Sequence, residues 1–217
     1  MSEKLYPDSG VELKQFTANH YDKIMNMLSF GYYRKFIHQA VKDMGISTDD
    51  EILDLGCGTG RNAALMLPFL SDKGKITGMD VSEIMEKQFK DKFKEEPRVY
   101  FMRQRADIAF DLKEQFDKIL ISFVIHGFPH EVRQTVIENV FTHLKPGGTF
   151  MMLDFAEFDM GKMPFHHRMV FKSIECKYAF DFIERDWKKI LGENKLGEFS
   201  ETFYFKNYVR LLKAVKK

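Results

Sequence analysis

The sequence predicts an α/β fold: a mostly parallel sheet with helices on both faces, closed by a C-terminal antiparallel hairpin. Three observations lead there. Short apolar runs alternate with amphipathic stretches from Glu51 to Leu153, the pattern of βα units. The central run Ile119-Leu120-Ile121 is apolar throughout, as parallel strands buried on both faces must be. Near the end of the chain, two strand-like segments, 198–205 and 208–215, are separated only by Lys206-Asn207, a connection short enough for a hairpin.

The elements follow in order. From Thr17 to about Met44, Tyr21, Ile24, Met25 and Leu28, then Tyr33, Phe36, Ile37 and Val41, recur at helical spacing. Ser29-Phe30-Gly31 interrupts them, so two helices are expected before the first strand. Strands are expected at 51–55, 75–79, 99–102, 118–123 and 149–153, with helices in most of the gaps. The run Leu144-Lys145-Pro146-Gly147-Gly148-Thr149 reads as a turn. After Asp154 the alternation gives way to a Met- and Phe-rich insertion, then a helix near 186–191, then the hairpin. No repeat or Pro/Gly-rich linker divides the chain, and 217 residues suit one domain.

Composition excludes several classes. The 33 Lys and Arg are matched by 32 Asp and Glu, so the basic excess that phosphate binding demands is missing and no nucleic-acid partner is expected. Cys57 and Cys176 have no metal-ligand spacing and form no disulfide framework, which suits a reducing cytoplasm; no metal is expected. No apolar run is long enough to span a membrane. The 22 Phe and 13 Met are expected mostly in the core, with some available to shape an apolar pocket.

The strongest local signal is Ile52-Leu53-Asp54-Leu55-Gly56-Cys57-Gly58-Thr59-Gly60, an apolar strand running into a glycine-rich turn and then a helix from about Asn62. Glycines allow positive φ and a close approach of ligand to backbone, and the following helix start offers free N–H groups. Dinucleotide enzymes favour G-x-G-x-x-G; here Gly56, Gly58 and Gly60 are spaced by two throughout, with Asp54 two residues ahead. The second strand ends in Gly78-Met79-Asp80, which puts a carboxylate where it can accept hydrogen bonds from two ribose hydroxyls. The same Asp80 could instead cap the helix that begins near Ser82.

With that turn and acid, residues 51–155 resemble the class I S-adenosylmethionine-dependent methyltransferases, which implies their Rossmann-like fold and S-adenosyl-L-methionine as cofactor. The resemblance implies that Asp54, Gly56, Cys57, Gly58 and Gly60 hold the amino acid end and Asp80 the ribose. It further implies that Asp107 bonds the adenine amino group, that Ile108 with Met79 or Val81 flanks the ring, and that Ser122 adjoins the cofactor. Within the class, Tyr21-Asp22-Lys23-Ile24-Met25-Asn26 and the following Ser29, Gly31 and Arg34 resemble a segment of the ubiquinone/menaquinone C-methyltransferases, with one residue inserted before Met25. That segment closes over the cofactor in the family, which implies a contact from Tyr21. The expected layout is then one domain, 1–217: an N-terminal helical lid (1–48), a cofactor-binding core (49–155) and a substrate-side insertion with the hairpin (156–217). After the fourth strand the family carries S-F-G-L-R-N, whereas this chain has Ser122-Phe123-Val124-Ile125-His126-Gly127.

His126 follows the central strand at its carboxyl end, where open α/β sheets place their chemistry. An imidazole there can take a proton from an O- or C-acceptor; the plainer alternative is a histidine bonding a strand-end carbonyl. His166, His167 and Arg168 follow Pro164-Phe165 and read either as contacts to a polar acceptor or as a solvated helix start. The expected function is methyl transfer to a small molecule, with an apolar or quinone-like acceptor implied by the family. The alternatives are a noncatalytic protein that binds the same cofactor and a nicotinamide-dependent oxidoreductase, which the glycine spacing disfavours.

Overall fold

The computed structural model describes residues 32–217. Tyr21 and the first expected helix lie outside the described residues. The second expected helix is α1 (Tyr32–Asp43), whose Phe36, Ile37, Ala40 and Val41 are buried. Seven strands follow: β1 (Glu51–Leu55), β2 (Lys75–Asp80), β3 (Val99–Arg103), β4 (Phe116–Ser122), β5 (Leu144–Phe155), β6 (Leu196–Tyr204) and β7 (Val209–Lys216). They form one sheet in the order β3-β2-β1-β4-β5-β7-β6. The first five pair in parallel, while β7 runs antiparallel to both β5 and β6.

Strand residues divide by parity between two cores. Leu53, Leu55, Ile119, Ile121, Phe150, Met152 and Leu212 face one side, where α4 (His130–His143) packs Val136, Ile137 and Val140 and the C-terminal helices pack Phe182 and Trp187. Ile52, Leu120, Met151, Leu153 and Leu211 face the other, against α1, α2 (Arg61–Met66) and Phe89 of α3 (Glu83–Lys92). Each fully buried side chain of this kind stabilises the fold by roughly 1.5–3 kcal/mol. That two-sided burial is why the central strands carry no polar alternation.

Several expected boundaries shift. The Leu144–Thr149 run is not a free turn: Leu144 already pairs with Phe116, and the register slips between Phe116 and Lys118. Gly147, at φ +77°, therefore bends a continuous β5 instead of reversing the chain. Phe205 and Tyr208 belong to the hairpin loop, since Tyr204 is paired with Val209 and Phe205, Lys206 and Asn207 all have positive φ. The Met- and Phe-rich insertion contains two helices that the periodicity did not reveal, α5 (Phe165–Ile174) and α6 (Lys177–Ile183). They precede α7 (Trp187–Glu193), whose N-cap is Asp186.

Candidate active site

The glycine turn joins β1 to α2 at the carboxyl edge of the sheet. Gly56 and Gly60 have φ of +73° and +74°, and a Cβ on either would meet Val124 or Phe89 and Phe93 at under 3 Å; these two positions are packed shut. Gly58, at φ +53°, differs: a Cβ there would have only Met85 Sδ nearby, at 4.0 Å, so its outer face is open. The Gly56 and Cys57 N–H groups donate to Met79 O at 2.8 and 3.1 Å, which ties the turn to β2. Burial beside Asp54 and Asp80 pushes the Cys57 thiol far up, so this cysteine is an inert wall.

Asp80 ends β2 with its two oxygens shared out: Oδ2 accepts from Gly58 N–H and Oδ1 from Ser82 N–H, both at 2.9 Å. Ser82, not Asp80, is the side chain that caps α3, accepting from Met85 N–H at 3.3 Å. Burial raises the proton affinity of Asp80, against the lowering by the Ser82, Gly58 and Val81 amides. Asp54 is more unusual. It is 1% exposed, and neither carboxylate oxygen has a hydrogen-bond partner among the described residues. Burial, with Asp80 reinforcing it and Arg61 opposing it, lifts its pKa to about 7. A buried carboxylate without a donor is costly unless a cation or donor meets it, so Asp54 fits the ammonium end of an amino acid ligand. The open face of Gly58 lies in the same turn.

Val81, just after β2, and Ile108, beyond β3, are each 46% exposed, while Met79 is fully buried in the core. Of the two residues expected to pair with Ile108 around an adenine, Met79 lies within the core and Val81, one residue past β2, is open to solvent. Asp107 is buried and paired with Arg105, which donates from Nε at 3.1 Å and also from its terminal nitrogen. Sequence reasoning missed the residue that holds this loop. Asn139, on α4, donates to Ala106 O at 3.0 Å and Ile108 O at 2.8 Å. One turn on, His143 accepts from Leu112 N–H at 2.9 Å.

The β4–β5 side carries the other half. Ser122 closes β4, half-buried. Phe123 then takes φ +53°, a left-handed conformation that costs an ordinary residue roughly 1–2 kcal/mol. Its N–H bonds Leu153 O at 2.9 Å, and the kink leads Val124 against Gly56 and lifts His126 into a short 3-10 turn, Ile125–Gly127. His126 Nδ1 lies 2.8 Å from Asp154 Oδ1, and Nε2 lies 3.6 Å from Glu175 Oε2. Burial lowers the proton affinity of His126, but the two carboxylates outweigh it and the net direction is up, with Arg133 opposing. Arg133 is fully buried; it donates to Ile125 O, His126 O and Tyr178 O and pairs with Asp181. It thereby pins the histidine turn to α6. Asp154, Glu175 and Arg133 were all missed from the sequence.

Aromatic rings surround this edge. Phe123 meets Phe36 and Phe155, Phe155 meets His126 and Phe171, and Phe36 meets Tyr204. His166 to Arg168 form the first turn of α5, with His166 exposed and His167 Nδ1 3.4 Å from the Tyr208 hydroxyl. Among the described residues no cluster of His, Cys, Asp and Glu could hold a metal, and no helix is long and apolar enough to cross a membrane.

A parallel sheet with β7 inserted antiparallel beside β5, a three-glycine turn after β1 and an acid ending β2 define the Rossmann-like class I methyltransferase architecture. The chain belongs to the ubiE/COQ5 methyltransferase family, whose profile matches residues 11–179. It is similar to a demethylmenaquinone methyltransferase of Lactococcus lactis subsp. lactis, 31% identical over 66% of this chain, and the match spans 57% of that protein, little more than half its length. A demethylmenaquinone methyltransferase of Staphylococcus carnosus is 28% identical over 82% of this chain and 80% of its own. In fold it is similar to the N-methyltransferase NodS of Bradyrhizobium japonicum WM9, solved in complex with S-adenosyl-L-homocysteine, with a TM-score of 0.60 at 16% identity over 86% of this chain and 87% of that one.

Proposed function

We propose that this chain, as one domain, transfers a methyl group from S-adenosyl-L-methionine to a small, flat, largely apolar acceptor of the quinone type. The observation that carries the reading is the buried carboxylate of Asp54, unpaired among the described residues, in the same turn as the open face of Gly58. Asp54 would receive the ammonium of the amino acid end, with Gly56, Cys57, Gly58 and Gly60 as the floor and Tyr21 as a further contact. Asp80, already fixed by two amides, would accept from the ribose hydroxyls. Val81 and Ile108 would flank the adenine, Asp107 would bond its amino group, and Ser122 would line the cofactor's inner side.

The cofactor, when bound, supplies an electrophilic methyl group on a sulfonium. The chain's own task is alignment, exclusion of water and removal of the acceptor's proton. His126 is the base in this reading, with its Nδ1 hydrogen held by Asp154 so that Nε2 accepts. The aromatic belt around Phe123 and Phe155 suits stacking on a planar ring, and the similarity to demethylmenaquinone methyltransferases favours a demethylated menaquinone-like compound. The free cysteines suit work in a reducing cytoplasm.

The test is release of S-adenosyl-L-homocysteine in the presence of a 2-substituted 1,4-naphthoquinol, with the product identified by mass. A methylated quinol is expected. Cofactor binding without turnover of any acceptor would favour the noncatalytic reading, and binding of NAD in place of the adenosyl ligands would overturn the proposal.

A further inference from the structure

The turn after β4 sets His126 between carboxylates from two different elements. Asp154 of β5 meets Nδ1 at 2.8 Å, and Glu175, at the C-cap of α5, lies 3.6 Å from Nε2. Their exposure is graded: the Asp154 side chain is 1% exposed, His126 14% and Glu175 19%. The row therefore opens outward from the core through the imidazole to Glu175. A histidine that only braced a strand end would need one partner. The second carboxylate is costly to bury, and burial does raise the proton affinity of Glu175, against the lowering by His126.

We propose that Glu175 is the outer member of an Asp154–His126–Glu175 proton relay, setting the proton affinity of His126 and taking the acceptor's proton from Nε2. The inference rests on the methyl-transfer reading above. Asp154 keeps the hydrogen on Nδ1, so Nε2 is the accepting nitrogen. As the acceptor's bond to hydrogen breaks and its bond to methyl forms, the electron pair of the broken S–CH₃ bond stays on sulfur, which becomes a neutral thioether. The proton passes to Nε2, then to Glu175, and leaves to solvent, so the positive charge of the sulfonium departs as that proton. Among the described residues, the remaining charge facing the imidazole is Arg133 of α4. It bonds His126 O at 3.0 Å and is engaged by Asp181 of α6, and it offsets part of the carboxylates' pull.

Glu175→Gln keeps the shape and removes the charge. Loss of an opposite charge at this range moves a pKa by about 1 unit or more. The imidazole titration of His126, followed by NMR with His126→Asn identifying the signal, is expected to fall by about 1 pH unit. The rising limb of the pH–rate profile should fall with it, while the KM for cofactor stays within about twofold and kcat above the limb drops about tenfold. Glu175→Asp restores the charge and is expected to return the titration most of the way to its original value. An unchanged His126 titration in Glu175→Gln overturns the relay, as does a Glu175→Asp variant that titrates as low as the Gln one. The NMR readout needs no turnover, so absent turnover with the expected shifts would overturn the methyl-transfer reading and leave the coupling of the three groups standing.

Discussion

On the β1–β3 side of the sheet's carboxyl edge, the glycine turn and Asp80 are held by backbone groups: the Gly58 and Ser82 amides hold Asp80, and Met79 O holds the turn. On the β4–β5 side the imidazole of His126 meets side chains, Asp154 and Glu175, and Arg133 joins the Asp181 side chain to the backbone carbonyls of Ile125, His126 and Tyr178. Amide contacts persist whatever side chains surround them, so the first half suits an invariant ligand. Side-chain contacts can be re-chosen by substitution, so the second half is where one chain can come to differ from another. The Arg-Asn to His-Gly exchange at His126 and Gly127 falls in the second half.

The sharpest way to break this division is at His126. His126→Ala should lower turnover by about 10²–10⁴-fold if the imidazole is a general base, yet leave cofactor affinity within about twofold because no amide of the turn depends on it. His126→Asn keeps a hydrogen-bonding group without a titrating nitrogen, so normal turnover in that variant from pH 6 to 9 would show that positioning alone is at work. Loss of cofactor binding in either folded variant would erase the boundary between the halves.

The two halves also differed in legibility. The half proposed for the cofactor lies along continuous sequence: strand, glycines and helix are adjacent, and Asp80 ends the next parallel strand. Even there, the spacing leaves Met79 and Val81 as alternatives beside the adenine, and only their burial, 0% against 46%, tells them apart. The half proposed for the acceptor is assembled from β4, β5, α4 and α5, and only His126, just after β4, carried a signal. Asp154 could have been found as the acid ending the strand that pairs with β4, since Ser122 is in register with Leu153. Glu175 could not, because it follows α5, and α5 and α6, ten and seven residues long, give too few turns for a stripe to be read.

A second, smaller effect tests the cofactor half itself. Asp80→Ala removes the acceptor proposed for two ribose hydroxyls, and hydrogen bonds to a charged group are worth roughly 1.5–3 kcal/mol each. Affinity for S-adenosyl-L-homocysteine, measured by calorimetry, should fall by about 10²-fold or more. Because Ser82 is the helix cap, α3 should survive. An unchanged dissociation constant in the folded variant would leave Asp80 as a brace for the glycine turn and nothing more.

The smallest effect is a pH dependence confined to the cofactor half. Asp54 has its pKa raised to about 7 by burial and by Asp80, so the folded chain holds a proton there that the unfolded chain releases near the ordinary carboxylate value. Between those two values the folded state binds more protons, and its stability falls as pH rises through that window. An ammonium seated against Asp54 favours the ionised form, so binding expels the proton and affinity must climb with pH up to about 7. For a group that titrates near 7, ionised occupancy grows about fivefold between pH 6 and pH 7, and affinity should grow by the same factor. The ligand's own amino group stays charged in that range, since α-amino groups titrate at about 7.7–8.0. Asp54→Asn should bind more weakly and lose the slope, whereas His126→Ala should keep it, because the imidazole lies in the other half. A slope that persists in Asp54→Asn would assign the proton elsewhere and remove the ammonium contact from the site.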